Sequence, residues 1–271
     1  MKWPVSILLV LFIAVVSMFL NSCEKEVYID LNSANPRLVV QGDLTTSEGS
    51  CIVKLNRSVN YYDGNSFPTV SAADVSISNG SGYMATLNEG KPGVYEVSIL
   101  RPTYLDPNFT LKIIVDGKEY TASSTLPSVV GIDSVLFEKN NRFGSSTGYR
   151  VICKFRDPPG IRNYYRLRLS SNDTAAGIDL NSIRLASDKY TDGEEMRISY
   201  PTNLLANYSV NVDLESIDKA TYDFFYTLRN VAGEANPLMS APPANPTSNI
   251  SNGALGYFAA YSTDRKTVVI R

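Results

Sequence analysis

"FTLKIIVDGKEY", residues 109–120, decides the fold. Phe109, Leu111, Ile113 and Val115 alternate with Thr110, Lys112 and Ile114, the period of a strand that buries one face. Asp116-Gly117 then reads as a hairpin turn, because glycine accepts the positive φ that such a turn demands. A chain that alternates, turns in two residues and resumes forms an antiparallel pair.

The same pattern extends in both directions. Before it stand "RLVVQGDLT" (37–45), "CIVKLNRSV" (51–59), "AADVSISN" (72–79), "GYMATLN" (82–88) and "GVYEVSIL" (93–100), where Tyr95, Val97 and Ile99 point one way and Glu96 and Ser98 the other. With "FTLKIIVDG" and "KEYTASSTL" these make seven short strands, which imply an immunoglobulin-like β-sandwich over residues 37–127. Beyond Leu126-Pro127 come "GIDSVLFEK", "YRVICKFRD", "NYYRLRLSS", "IRLAS", "EEMRISYP" and "YSVNVDLES", with Asp157-Pro158-Pro159-Gly160 and Asp192-Gly193 as turns. Residues 128–271 are thus expected to form a second, β-rich domain, a sandwich or barrel.

One segment has a different period. From Ser216 to about 232, Ile217, Thr221, Phe224 or Phe225, Leu228 and Val231 recur at helical spacing. Ser216 is read as the N-cap, with Asp218 in the first turn. A Pro/Asn/Ser loop follows, and "ALGYFAAYST" and "KTVVIR" close the domain as two strands. The expected fold class is therefore all-β, in two domains, with one packed helix.

Composition narrows the chemistry. The 271 residues contain no histidine, which removes the commonest general base, the Ser/His and Cys/His pairs and the commonest catalytic zinc ligand. The 25 basic residues are scattered and outnumbered by 27 acidic ones, so no phosphate-binding surface for nucleic acid is implied. Cys51 and Cys153 each alternate into a strand's apolar row, in different predicted domains, and are expected to be free, buried thiols.

The N-terminus carries an address. Lys2 precedes an apolar run from Val5 to Leu20, and Leu20-Asn21-Ser22-Cys23 resembles the cleavage box of bacterial lipoprotein signals. Residues 1–22 are read as signal peptide, Cys23 as the lipidated residue and 23–36 as a tether. Two or three acyl chains hold firmly, since each buried methylene contributes about 0.8 kcal/mol. Glu24-Lys25-Glu26 resembles the acidic start by which such proteins reach the cell surface, with the periplasmic face as the alternative.

"SCEKEV", "PRLVVQG", "VKLNRSVNYYD", "FPTVSAADVSI", "GVYEV", "ASSTLP", "FRDPPGIRNYYRLRL" and "SNISNGALGYFAAY" together resemble the Bacteroidota lipoprotein family catalogued as domain of unknown function 4249. Ala254 departs from it by interrupting an Asn-Gly-Leu-Gly run. The resemblance spans nearly the whole chain and implies an outer-membrane lipoprotein with an immunoglobulin-like N-terminal part, often encoded beside a TonB-dependent receptor. It implies no reaction.

Candidate sites compete with plainer explanations. Ser216-Ile217-Asp218-Lys219 has the Ser-x-x-Lys spacing of penicillin-interacting enzymes, but the supporting motifs fail and a helix cap explains it. Asp188, Asp192, Glu194 and Glu195 could serve calcium, but their spacing is not that of an EF-hand and a solvated Asp-Gly hairpin tip is the favoured reading, so no metal site and no cofactor is assigned. Tyr61, Tyr62 and Phe67 lie in a turn-rich loop, and Pro242, Pro243 and Asn249 in the proline-rich segment 237–253; these six are candidate contacts for a partner or a glycan or peptide ligand. The expected function is a non-catalytic surface lipoprotein, binding a ligand or receptor for a TonB-dependent transporter. An adhesin or scaffold is the alternative, and a carboxylate-based glycan-active enzyme the third reading.

Overall fold

The computed structural model describes residues 35–45, 49–59, 67–98, 106–139, 148–171, 183–231 and 245–270, without the side chains of 201–203. Cys23, the signal segment and the tether up to residue 34 lie outside the described residues, as do Tyr61, Tyr62, Pro242 and Pro243. The described chain is all-β with one helix. In order it runs β1 (Leu38–Thr45), β2 (Ser50–Arg57), β3 (Asp74–Asn79), β4 (Met84–Lys91), β5 (Val94–Ser98), β6 (Asn108–Val115), β7 (Lys118–Thr125), β8 (Ile132–Lys139), β9 (Tyr149–Arg156), β10 (Tyr164–Ser170), β11 (Arg184–Ser187), β12 (Glu195–Leu204), β13 (Ser209–Ile217), α1 (Lys219–Val231) and β14 (Leu255–Val269).

Eleven strands form one sheet in the order β11-β10-β13-β14-β1-β2-β5-β4-β3-β6-β7, and β12-β9-β8 form a second. The hairpin read from Asp116-Gly117 joins β6 to β7, with Val115 paired to Lys118 and positive φ at both turn residues. Core residues come from every second position: Phe109, Leu111, Ile113 and Val115 join Val40, Leu44, Val53, Leu55, Val75 and Ile77 in a first core. Tyr95 enters this core with its hydroxyl satisfied, donating to Val70 O and accepting from Ala73 N, both at 3.0 Å. A second core lies between β8, β9, β12 and the β10–β13 part of the large sheet, around Phe155, Tyr165, Leu167, Tyr200, Val212 and Leu214.

The expectation of two domains meeting at Pro127 needs a correction. The cores do part between Leu126 and Val130. Residues 35–271 nevertheless cluster as one compact unit. The physical reason is β14, a single strand of 15 residues where the sequence suggests two. Its first half pairs in parallel with β1, from Val39↔Leu255 to Thr45↔Tyr261, and its second half pairs antiparallel with β13, from Ser216↔Ser262 to Ser209↔Val269. Phe258 and Ala260 complete the first core, while Val268 and Ile270 pack into the second. Residues 37–127 thus take a strand from the far end of the chain.

The helix begins later than expected. Ser216 is still in β13, and Asp218 caps α1: its Oδ1 accepts from Thr221 N at 2.8 Å. Asp218 Oδ2 reaches the first core's last strand, accepting from Ser124 Oγ at 2.7 Å and Thr125 N at 3.1 Å. One carboxylate therefore starts the helix and fastens it to β7.

Cys51 sits in the first core and Cys153 in the second, both free. Burial pushes each thiol up to about 12, with Asp43 adding to the effect at Cys51. At pH 8 only about one thiol in 10⁴ is then ionised, and the thiolate is the reactive form. Maleimide at pH 8 is expected to leave both residues of the folded chain unlabelled, and to label both once guanidinium unfolds it without reductant. Recovery of a Cys51–Cys153 crosslinked peptide would overturn the assignment of these residues to separate cores.

Candidate functional site

Register determines which side chains meet on the face of the large sheet that carries α1. Across β2, β1 and β14, Lys54 pairs with Gln41 and Gln41 with Tyr257, while Asp43 neighbours Ala259. Across β10, β13 and β14, Arg166 pairs with Glu215 and Glu215 with Thr263; one step on, Arg168 pairs with Asp213 and Asp213 with Arg265. Because side chains alternate strictly, the apolar residues between these positions fill the cores and the polar ones share the opposite face. The helix roofs part of it. Phe224 and Phe225 pack on Tyr257 with ring centroids 4.7 and 5.0 Å away, in a third cluster with Ile217, Ala259 and Tyr261.

Beside the roof lies a cavity of about 350 Å³, lined by Gln41, Asp43, Lys54, Arg166, Arg168 and Tyr257, with Leu167, Ile183 and Phe225 as its apolar lining. Arg166 is 6% exposed. Its Nε pairs with Oε2 of the equally buried Glu215, and its guanidinium carbon stacks 4.1 Å from the Phe225 ring centroid. Burial works against this charge, but Glu215, Tyr257 and Asp43 together outweigh it and hold Arg166 above the usual guanidinium range. Glu215 Oε1 also meets Arg168 Nη1 at 3.3 Å. A smaller cavity of about 110 Å³ continues past Arg168 to Thr45, Asp213, Tyr261 and Arg265. There Arg265 holds Asp213 with both Nε and Nη2.

Asp43 is the anomaly. It makes no ion pair among the described residues, and the Tyr257 hydroxyl lies 3.2 Å from each of its oxygens. Burial raises its pKa above the ordinary carboxylate value, against the opposing pull of Arg166 and Tyr257. Folding has placed a carboxylate where its charge is disfavoured, and such groups cluster at functional sites.

Of the six residues singled out by sequence, Phe67 and Asn249 are described, and neither lines this cavity. Phe67 is 57% exposed. Asn249 works for the backbone: Phe258 N donates to its Oδ1 at 3.0 Å, and its Nδ2 donates to Phe258 O at 2.8 Å and Ser123 O at 3.3 Å. It clamps β14 to β7. The Ser-x-x-Lys spacing is also structural, since Ser216 is buried in β13 and Lys219 pairs with Asp223 one turn along α1.

The acidic group converges differently from its spacing. Asp188 and Asp192 come within 4.8 Å of Asp157, whereas Glu195 pairs with Lys154. Asp157 accepts from Tyr165 Oη and Gly193 N, Asp188 from Asn163 N while facing Arg162 Nε at 3.2 Å, and Asp192 from Gly160 N. These bonds tie three turns together and account for the convergence.

No curated protein matches the chain. Residues 24–267, threaded through both cores and the cavity between β1, β10 and α1, match the family described as Domain of unknown function (DUF4249), and the chain belongs to that family.

Proposed function

We propose that this chain is a non-catalytic lipoprotein, held in the outer membrane through Cys23 and facing the cell exterior, that binds a small polar ligand for a TonB-dependent transporter. The observation that carries the binding role is Asp43, a carboxylate without an ion pair among the described residues, set in a cavity beside the buried Arg166. Such a site costs stability and is explained by a ligand that answers its charges. A binding role is favoured over glycan cleavage because carboxylate mechanisms need two acids across a cleft. Here Glu215 is committed to two arginines, and among the described residues Asp43 is the one carboxylate lining the cavity.

The anchor and location rest on the Leu20–Cys23 box and on Glu24-Lys25-Glu26. Cys23→Ala is expected to leave an unprocessed precursor, and globomycin to block cleavage of the wild-type chain. Protease added to intact cells should digest the wild-type protein, and mild crosslinking should recover a TonB-dependent receptor. Complete protection from external protease would end the surface reading.

A further inference from the structure

The groups around the cavity leave two demands unmet, and they are opposite in kind. On the β10 side, two guanidinium groups share the single carboxylate of Glu215. Glu215 takes the Nε of Arg166, and among the described residues no hydrogen bond from the terminal nitrogens of Arg166 is seen, although the side chain is 93% buried. Arg166 lines the cavity, and its terminal nitrogens stay open to it instead of being sealed inside the protein, so an acceptor in the cavity can reach them. An anion from outside meets that demand, and a planar fork of N–H groups fits a carboxylate best.

On the β1 side the demand is for donors. Among the described residues Asp43 has only the Tyr257 hydroxyl, at 3.2 Å, and Gln41 beside it is exposed. Lys54 stands across from Gln41 and adds a third cation to the rim. The apolar walls are small, because Arg166 already covers one face of Phe225. A ligand here buries little apolar surface, and must carry one negative group together with several hydroxyls.

We infer that the cavity binds one acidic monosaccharide unit, free or at the end of a glycan, with its carboxylate on Arg166 and Arg168 and its ring hydroxyls on Gln41, Asp43 and Lys54. This deepens the binding role proposed above and rests on it. Inorganic phosphate supplies charge but too few donors, and its second negative charge opposes Asp43. A neutral sugar supplies donors but leaves the guanidinium groups unanswered. A peptide end supplies a carboxylate, but its side chains would find little apolar wall. The volume of about 350 Å³ is at the small end for ligand pockets and suits a single ring.

The test is calorimetric titration of the full chain in detergent micelles with glucuronate and galacturonate, against glucose, inorganic phosphate and glycylglycine. At least one uronate should bind with a Kd of about 1 mM or tighter, the order expected for so small a polar ligand, and all three comparators about tenfold more weakly or worse. Arg168→Gln alters a side chain that is 57% exposed and leaves the fold intact, as a thermal melt will check. It should weaken the uronate about tenfold and leave glucose unchanged, whereas Asp43→Asn should weaken both. Uronate binding no tighter than glucose, or unaffected by Arg168→Gln, overturns the acidic-sugar assignment, as does tighter binding of phosphate or glycylglycine. In those cases protease accessibility and receptor crosslinking still decide the binding-lipoprotein reading separately.

Discussion

Gly256→Ala is expected to destabilise the protein by about 4 kcal/mol or more, which for a chain of this size lowers the melting temperature by roughly 8–16 °C. Gly256 has φ +97°, a region that L side chains rarely adopt, and a Cβ there would lie 1.8 Å from Val40 O and 2.7 Å from Val40 C. Those atoms belong to β1, the strand to which β14 is bonded at this register. Relief requires pulling β14 off β1, and that pairing holds the first core to the rest of the chain. Gly117→Ala is the control, because it too has positive φ but nothing within 4 Å of the added atom. It should cost only about 1 kcal/mol, the conformational part. Equal losses for the two variants, measured by urea unfolding, would show that β14 does not join β1 as described.

Local pattern carried the strands and failed at three places for identifiable reasons. Period-two alternation and Asp116-Gly117 are properties of a few adjacent residues, so β6 and β7 are legible. The polar run Thr263-Asp264-Arg265 looks like a break between two strands. The chain continues through it because Asp264 Oδ2 accepts from Ile132 N at 2.7 Å and Arg265 pairs with Asp213, partners remote in sequence. Ser216 and Asp218 are both good caps, and only the pairing of Ser216 with Tyr165 and Ser262 shows which one remains in a strand. The cavity was the least legible feature. Arg166 and Arg168 alternate with Leu167 and Leu169 as solvent-facing residues of any half-buried strand do. That α1 returns to cover this face depends on Phe224 and Phe225 meeting Tyr257 and Arg166, and that β1 brings Asp43 beside Tyr257 depends on a pairing with β14 from the other end of the chain.

The second large effect is expected at Glu215. Glu215→Ala leaves Arg166 buried among Phe225, Tyr261 and Tyr257 with its Nε unpaired, and leaves Arg168 close by with the same sign. Removing one member of a buried pair costs about 3–5 kcal/mol, because the surviving charge loses its counter-ion without regaining water. A melting temperature lower by roughly 6–20 °C is expected. Asp213→Ala removes the carboxylate of the neighbouring pair, whose arginine, Arg265, is 51% exposed and returns to solvent. Its loss should be smaller by about 2 kcal/mol or more, and should shrink further in high salt, where exposed pairs are screened. The double variant Arg166→Met, Glu215→Leu separates the two contributions to the Glu215 effect. If desolvated charge dominates, replacing both partners with apolar groups of similar size restores most of the stability while abolishing uronate binding. If the double variant is as unstable as Glu215→Ala alone, the pair holds the sheet together in its own right, and Arg166 is a structural residue instead of the ligand's anchor.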